Sequence, residues 1–101
     1  METPTKGFYY HYKHDDQISV NNYAYEVLGV ALHTEDRTYT VIYRPLYENK
    51  FLEGADFCAR PLSMFLESVT KNDVTTPRFT LITDSAILAE LAKIKSLMYP
   101  N

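Results

Sequence analysis

The segment from Tyr23 to His33 constrains the fold of this chain more than any other, being rich in Val, Leu and Tyr with Gly29 at its middle. Branched and aromatic side chains suit a pleated, half-buried strand. A glycine inside such a strand marks a bend or bulge, as a barrel corner needs. Thr34-Glu35-Asp36-Arg37 reads as a hairpin turn into a second strand, Thr38–Arg44. An antiparallel pair is therefore expected here.

The flanking segments extend the β reading. Met1 to Lys6 reads as a loose tail. From Gly7, the residues Phe8, Tyr10 and Tyr12 alternate with Tyr9, His11 and Lys13, the period of a strand. His14 to Asn22 carries Asp15, Asp16, Asn21 and Asn22 and reads as a long polar loop. The pattern breaks down from Pro45 to Asp56, where the apolar pair Phe51-Leu52 is expected to tuck back. Phe57–Arg60 is a short strand stopped by Pro61, and Leu62-Ser63-Met64-Phe65 has the look of a 3₁₀ turn plugging a barrel end. Leu66–Thr70 resumes as a strand, Lys71-Asn72-Asp73 turns, and Pro77–Thr83 forms the last strand. Asp84 or Thr83 caps a helix that runs to about Met98, before Pro100. Ile87, Leu88, Leu91, Ile94 and Met98 share one face of it, with Glu90, Lys93 and Lys95 away from that face. The expected architecture is mainly β: an SH3-like small barrel of five or six antiparallel strands over residues 7–83, after a tail at 1–6 and before a C-terminal α-helix at 84–99.

Composition narrows the function classes. At 101 residues the chain has room for one modest core. Nine Tyr and five Phe, with no Trp, suit a small barrel whose walls are half buried, or a recognition surface. The formal charge of −3 provides no global field for nucleic acid, though a local site is still open. A single cysteine, Cys58, forms no internal disulfide and reads as a buried, inert thiol in a reducing cytoplasm. No apolar stretch of spanning length and no signal peptide is apparent, so a cytoplasmic protein without membrane association is expected.

The segments His11-Tyr12-Lys13, Tyr25 to Glu35, Tyr43 to Tyr47, Arg60 to Phe65 and Pro77-Arg78-Phe79 together resemble the DUF1653 family of small, mostly bacterial proteins. The resemblance implies an SH3-type barrel and, since the family has no assigned activity, no catalytic residues. The chain departs from the family pattern in the longer loop from His14 to Asn22, and in Cys58 where a tryptophan is expected. The helix from Ser85 to Met98 lies outside the resemblance.

Catalytic constellations are missing from the pattern. His11, His14, Asp15 and Asp16 have no spacing that closes a metal site. Ser63, Ser68 and Ser85 lack a nucleophile-elbow context, and three glycines supply no phosphate loop. No enzyme activity, metal or cofactor is expected. The arginines stand out, because Arg44, Arg60 and Arg78 each adjoin a proline and interrupt apolar strands. They must reach solvent, pair with acids or stack on aromatic rings. One reading pairs arginine with Glu26, inside the best strand, to close the barrel edge. The other makes Tyr12, Tyr25, Glu26, Tyr43, Arg44, Tyr47, Arg60 and Arg78 a ligand-binding face. The chain is thus expected to be a noncatalytic binding module for a peptide segment or single-stranded nucleic acid. The alternative is a structural or assembly protein that pairs two copies, or docks on a larger partner, through the helix or a barrel edge.

Overall fold

The computed structural model describes residues 2–48 and 52–100. Its strands are β1 (Gly7–His11), β2 (Ala24–Leu32), β3 (Tyr39–Pro45), β4 (Cys58–Pro61), β5 (Ser68–Lys71), β6 (Val74–Pro77) and β7 (Phe79–Leu81). A single helical turn, α1 (Leu62–Phe65), follows β4, and α2 (Ser85–Met98) is the last element. The Phe51-Leu52 tuck falls partly on Phe51, outside the described residues.

Pairing of β2 with β3 follows the hydrophobic pattern, and its register shifts between Val27 and Gly29. Leu28 is the extra residue of this bulge. Gly29 adopts φ +155°, a backbone position that side-chain-bearing residues rarely take. The expected glycine bend is therefore present.

The barrel is not closed. Five strands form one antiparallel sheet in the order β4-β3-β2-β1-β7, and β5 and β6 form a separate hairpin. The sequence reading ran one strand from Pro77 to Thr83, but the chain breaks at Arg78. The Arg78 N–H donates to the Glu67 carbonyl at 2.9 Å, and the Arg78 carbonyl accepts from the Tyr12 N–H at 2.9 Å. Val74–Pro77 instead pairs back on Ser68–Lys71. Asn72 and Asp73 both take positive φ, 52° and 62°, which is the two-residue turn that matches strand twist. Because this hairpin pairs with itself, nothing joins β4 to β7. The expected 3₁₀ turn at Leu62 is one α-helical turn, with the Leu66 N–H donating to the Leu62 carbonyl at 3.1 Å.

The open sheet is nonetheless strongly curved. The guanidinium of Arg60 on β4 lies 5.5 Å from the ring of Phe79 on β7. Four flat inter-strand steps would separate those strands by about 19 Å. Curvature encloses a core of Tyr9, Tyr25, Val27, Val41, Tyr43 and Phe79, plugged by Leu62 and Phe65 of α1. Phe79 is its hub, stacked on Phe65 at 4.3 Å and edge-on to Tyr25 at 5.8 Å.

The opposite face carries α2. Its N-terminus is capped by Asp84, whose carboxylate accepts from the Ile87 N–H at 3.0 Å. Leu91 is fully buried against Ala24, Leu46 and Ile82, with Ile87, Leu88 and Ile94 packed beside it. The expected apolar stripe is thus spent on the molecule's own sheet. Lys95, expected away from that face, reaches the sheet and pairs with Glu26. No helix of the described residues is long and apolar enough to cross a membrane.

Leu91→Ala should destabilise the fold by about 2–5 kcal/mol through loss of burial and the cavity left behind. Leu97→Ala, at an 84% exposed position, should change stability by less than about 0.5 kcal/mol. Urea denaturation of both variants checks this, and equal losses would show that α2 is not docked as described.

Candidate functional site: an arginine and aromatic face

Strand alternation decides which candidate residues share a face. In β2, Tyr25 and Val27 point into the curved core, while Ala24 and Glu26 lie on the helix side. Register places Glu26 opposite Arg44, and Tyr43 opposite both Val27 and Cys58. Arg60 lies opposite Val41, and His11 opposite Phe79. The eight residues singled out in the sequence therefore divide between two sites.

The first is structural and lies under α2. Glu26 is the one charged residue buried among those described. One carboxylate oxygen accepts from Arg44 Nε at 2.8 Å and the other from Lys95 Nζ at 2.6 Å. Arg44 also lies 4.0 Å from the Tyr99 ring centroid, and the Tyr99 hydroxyl donates to the Pro45 carbonyl at 2.7 Å. A carboxylate so removed from water needs its cations, and both come from other elements. The expected arginine–glutamate pair is present here, and it ties the helix to the sheet.

The second site holds Tyr12, Tyr25, Tyr43, Tyr47, Arg60 and Arg78 on the curved side. Tyr25 and Tyr43 are 6% and 8% exposed, wall residues of the core. The Tyr25 and Tyr47 hydroxyls lie 2.5 Å apart. Burial first, and then the Tyr47 hydroxyl, raise the Tyr25 phenol well above the ordinary tyrosine range. Tyr12, Tyr23 and Tyr47 are half-exposed. Arg60 approaches from β4 and Arg78 from the residue preceding β7, so two opposite sheet edges supply cations to one patch. Arg78 pairs with the half-exposed Glu67 at 3.3 Å, and Arg60 has no ion pair among the described residues. The Nε atoms of Arg60 and Arg78 are buried without a hydrogen-bond partner among the described residues.

His11 is the member of this patch that sequence reasoning weighed as a metal ligand. It packs edge-on to Phe79 at 5.1 Å and parallel to Tyr23 at 5.6 Å. Its signal was the alternation that places it on the same face as Tyr9. Burial first, then Arg60, Arg78 and Lys13, lower its pKa to about 4. Cys58 also borders the patch. Burial pushes its thiol up, and the nearby Arg60 offsets this only in part. His14, weighed as a metal ligand, instead stacks on Tyr10 at 3.5 Å and bonds the Asn22 carbonyl and Asp16.

Two measurements test this division. Arg44→Ala should cost about 1.5–3 kcal/mol, the range for a hydrogen bond to a charged group, while leaving the amide spectrum around Arg60 unchanged. An unaltered urea midpoint would mean that Lys95 alone satisfies Glu26. For His11, a pKa below the unfolded value of about 6.5 means that the unfolded chain takes up the proton first as pH falls. Stability from this group is complete above pH 6.5 and declines toward pH 4. His11→Gln should remove that component, so the wild-type-minus-variant difference in urea midpoint should slope between pH 6.5 and 4. A flat difference would place His11 in water.

The family model for DUF1653, described as a protein of unknown function, matches residues 7–81. A crystal structure of a DUF1653 protein from Bordetella bronchiseptica is similar, with a TM-score of 0.60 and 28% identity over 80% of this chain and 94% of that one. No curated protein matches the chain. The matched stretch begins with β1 and ends with β7, so it takes in the sheet, the hairpin and the arginine patch, and leaves α2 outside. By this match, the chain belongs to the DUF1653 family.

Proposed function

We propose that the chain is a noncatalytic binding module that takes a peptide segment on its aromatic and arginine face. One observation carries the reading: Arg60 and Arg78 converge from opposite sheet edges on one aromatic patch, each with a buried Nε that has no acceptor among the described residues. Buried donors left unpaired cost free energy and call for an explanation. The Nε atoms themselves face inward, but both side chains stay part-exposed, so a partner's acceptor can reach their outer nitrogens as Glu67 reaches that of Arg78.

A peptide fits this patch better than a nucleic-acid strand. The rings of Tyr25 and Tyr43 are buried and already in edge contact with one another, so only the half-exposed rim offers surface for bases. Depth matters too. Clefts of the molecule lie between Arg44, Phe57 and Tyr99, between Phe8, Glu26 and Leu88, and beside Phe65 and Pro77. None of these three includes Arg60 or Arg78. The raised Cys58 thiol argues against nucleophilic chemistry, because a nucleophile needs the opposite shift.

Amide NMR of the labelled protein, titrated in parallel with acidic peptides and with short single-stranded RNA and DNA, tests the proposal. Peptide-induced shifts clustered on Tyr12, Tyr47, Arg60 and Arg78, with oligonucleotides silent, are expected. The same cluster responding only to oligonucleotides would make the partner a nucleic acid. Silence to both would remove the binding reading.

A further inference from the structure

The charge around His11 is unbalanced. Arg60, Arg78 and Lys13 all act on it electrostatically, and each disfavours its protonation. Among the described residues, Glu67 is the single carboxylate paired with any of the three, at 3.3 Å from Arg78. That local excess of positive charge sits in a chain whose formal charge is −3. The donors are also arranged for an anion. Arg60 lies over one side of Phe79 at 5.5 Å, and His11 is edge-on to the same ring at 5.1 Å. The Lys13 N–H donates to His11 Nδ1 at 3.2 Å, so the neutral imidazole carries its proton on Nε2. Nε2–H has no acceptor among the described residues. Glu67 shows what an outer Arg78 nitrogen donates to: a half-exposed carboxylate.

We infer that Arg60, Arg78 and His11 form an anion subsite that takes a carboxylate of the bound segment. This rests on the peptide reading above and adds the group that the peptide must carry. Guanidinium forks match a carboxylate in plane, and a pair of them held on opposite sheet edges selects an acidic side chain or a free carboxyl end over a neutral segment. An anion here also cancels part of the repulsion that opposes protonation of His11. Its capture must therefore raise the His11 pKa.

The test follows the His11 imidazole resonances by NMR through a pH titration. The wild-type protein is studied alone and with four probes: a capped pentapeptide containing glutamate, its glutamine counterpart, sodium acetate, and a thymidine pentanucleotide. The glutamate peptide should raise the His11 pKa by about one unit, and the glutamine peptide should leave it in place. Arg60→Gln should raise the His11 pKa in the free protein, which checks the fold around it, and weaken the glutamate peptide at least about tenfold. If both peptides bind equally and the His11 pKa stays fixed, the subsite is wrong and the binding module stands. If acetate moves His11 but neither peptide binds, the subsite stands and the peptide reading falls. A shift from the pentanucleotide alone would reassign the anion to phosphate. No movement with any probe would overturn both.

Discussion

The carboxylate of Glu26 is the interaction on which the remaining arrangement depends. It is buried beneath α2, with Arg44 on one oxygen and Lys95 on the other. Alone, a charge in such a place would be costly, and two separate elements each bring a cation to it. The same arginine lies against Tyr99, whose hydroxyl reaches the Pro45 carbonyl. One contact set thus fixes where the last helix lies, how its final turn leaves the sheet, and which strand face it covers. With that face taken, the other is left to curl around Phe79.

Curvature then does what a closed ladder would have done, without closing. Strands at the two ends of the sheet share no hydrogen bonds with each other, yet Arg60 from one reaches the ring of Phe79 on the other. The interior is filled by rings in place of a strand. At the rim Arg60 meets the ring of Phe79 and Arg78 meets Glu67, and both arginines stay part-exposed. Of the three proline-flanked arginines, the fold spends Arg44 on its buried acid and leaves Arg60 and Arg78 at the rim.

Much of this was legible in the chain, and the failures are instructive. The β2 bulge at Gly29, the Lys71-Asn72-Asp73 turn, the Asp84 cap and the apolar side of α2 all rest on local signals, and local signals are what a single sequence carries. The pairing of Arg44 with Glu26 was readable because both lie in strands joined by an expected hairpin turn. Grouping Arg44 with Arg60 and Arg78 was not sound. Each adjoins a proline, but the face that each occupies depends on registers between strands far apart in the chain. Barrel closure failed for a related reason. The segment Val74–Pro77 has a strand-like composition that suits pairing with a neighbouring hairpin arm as well as with a sheet edge, and composition does not choose between them. Lys95 was misplaced because a charged residue on a helix was assumed to seek water.

Because the ladder does not close, the sheet has two margins, β4 and β7, that pair with no further strand among the described residues, and free margins invite other chains to add on. Here they are poor templates. β7 is three residues long, and β4 is four, ending in Pro61, which has no N–H to offer, directly after the charge of Arg60. Such margins resist the runaway strand addition that leads to aggregates. Whatever approaches this face is met by side chains and not by backbone, and so is admitted by its chemistry rather than by its capacity to become a strand.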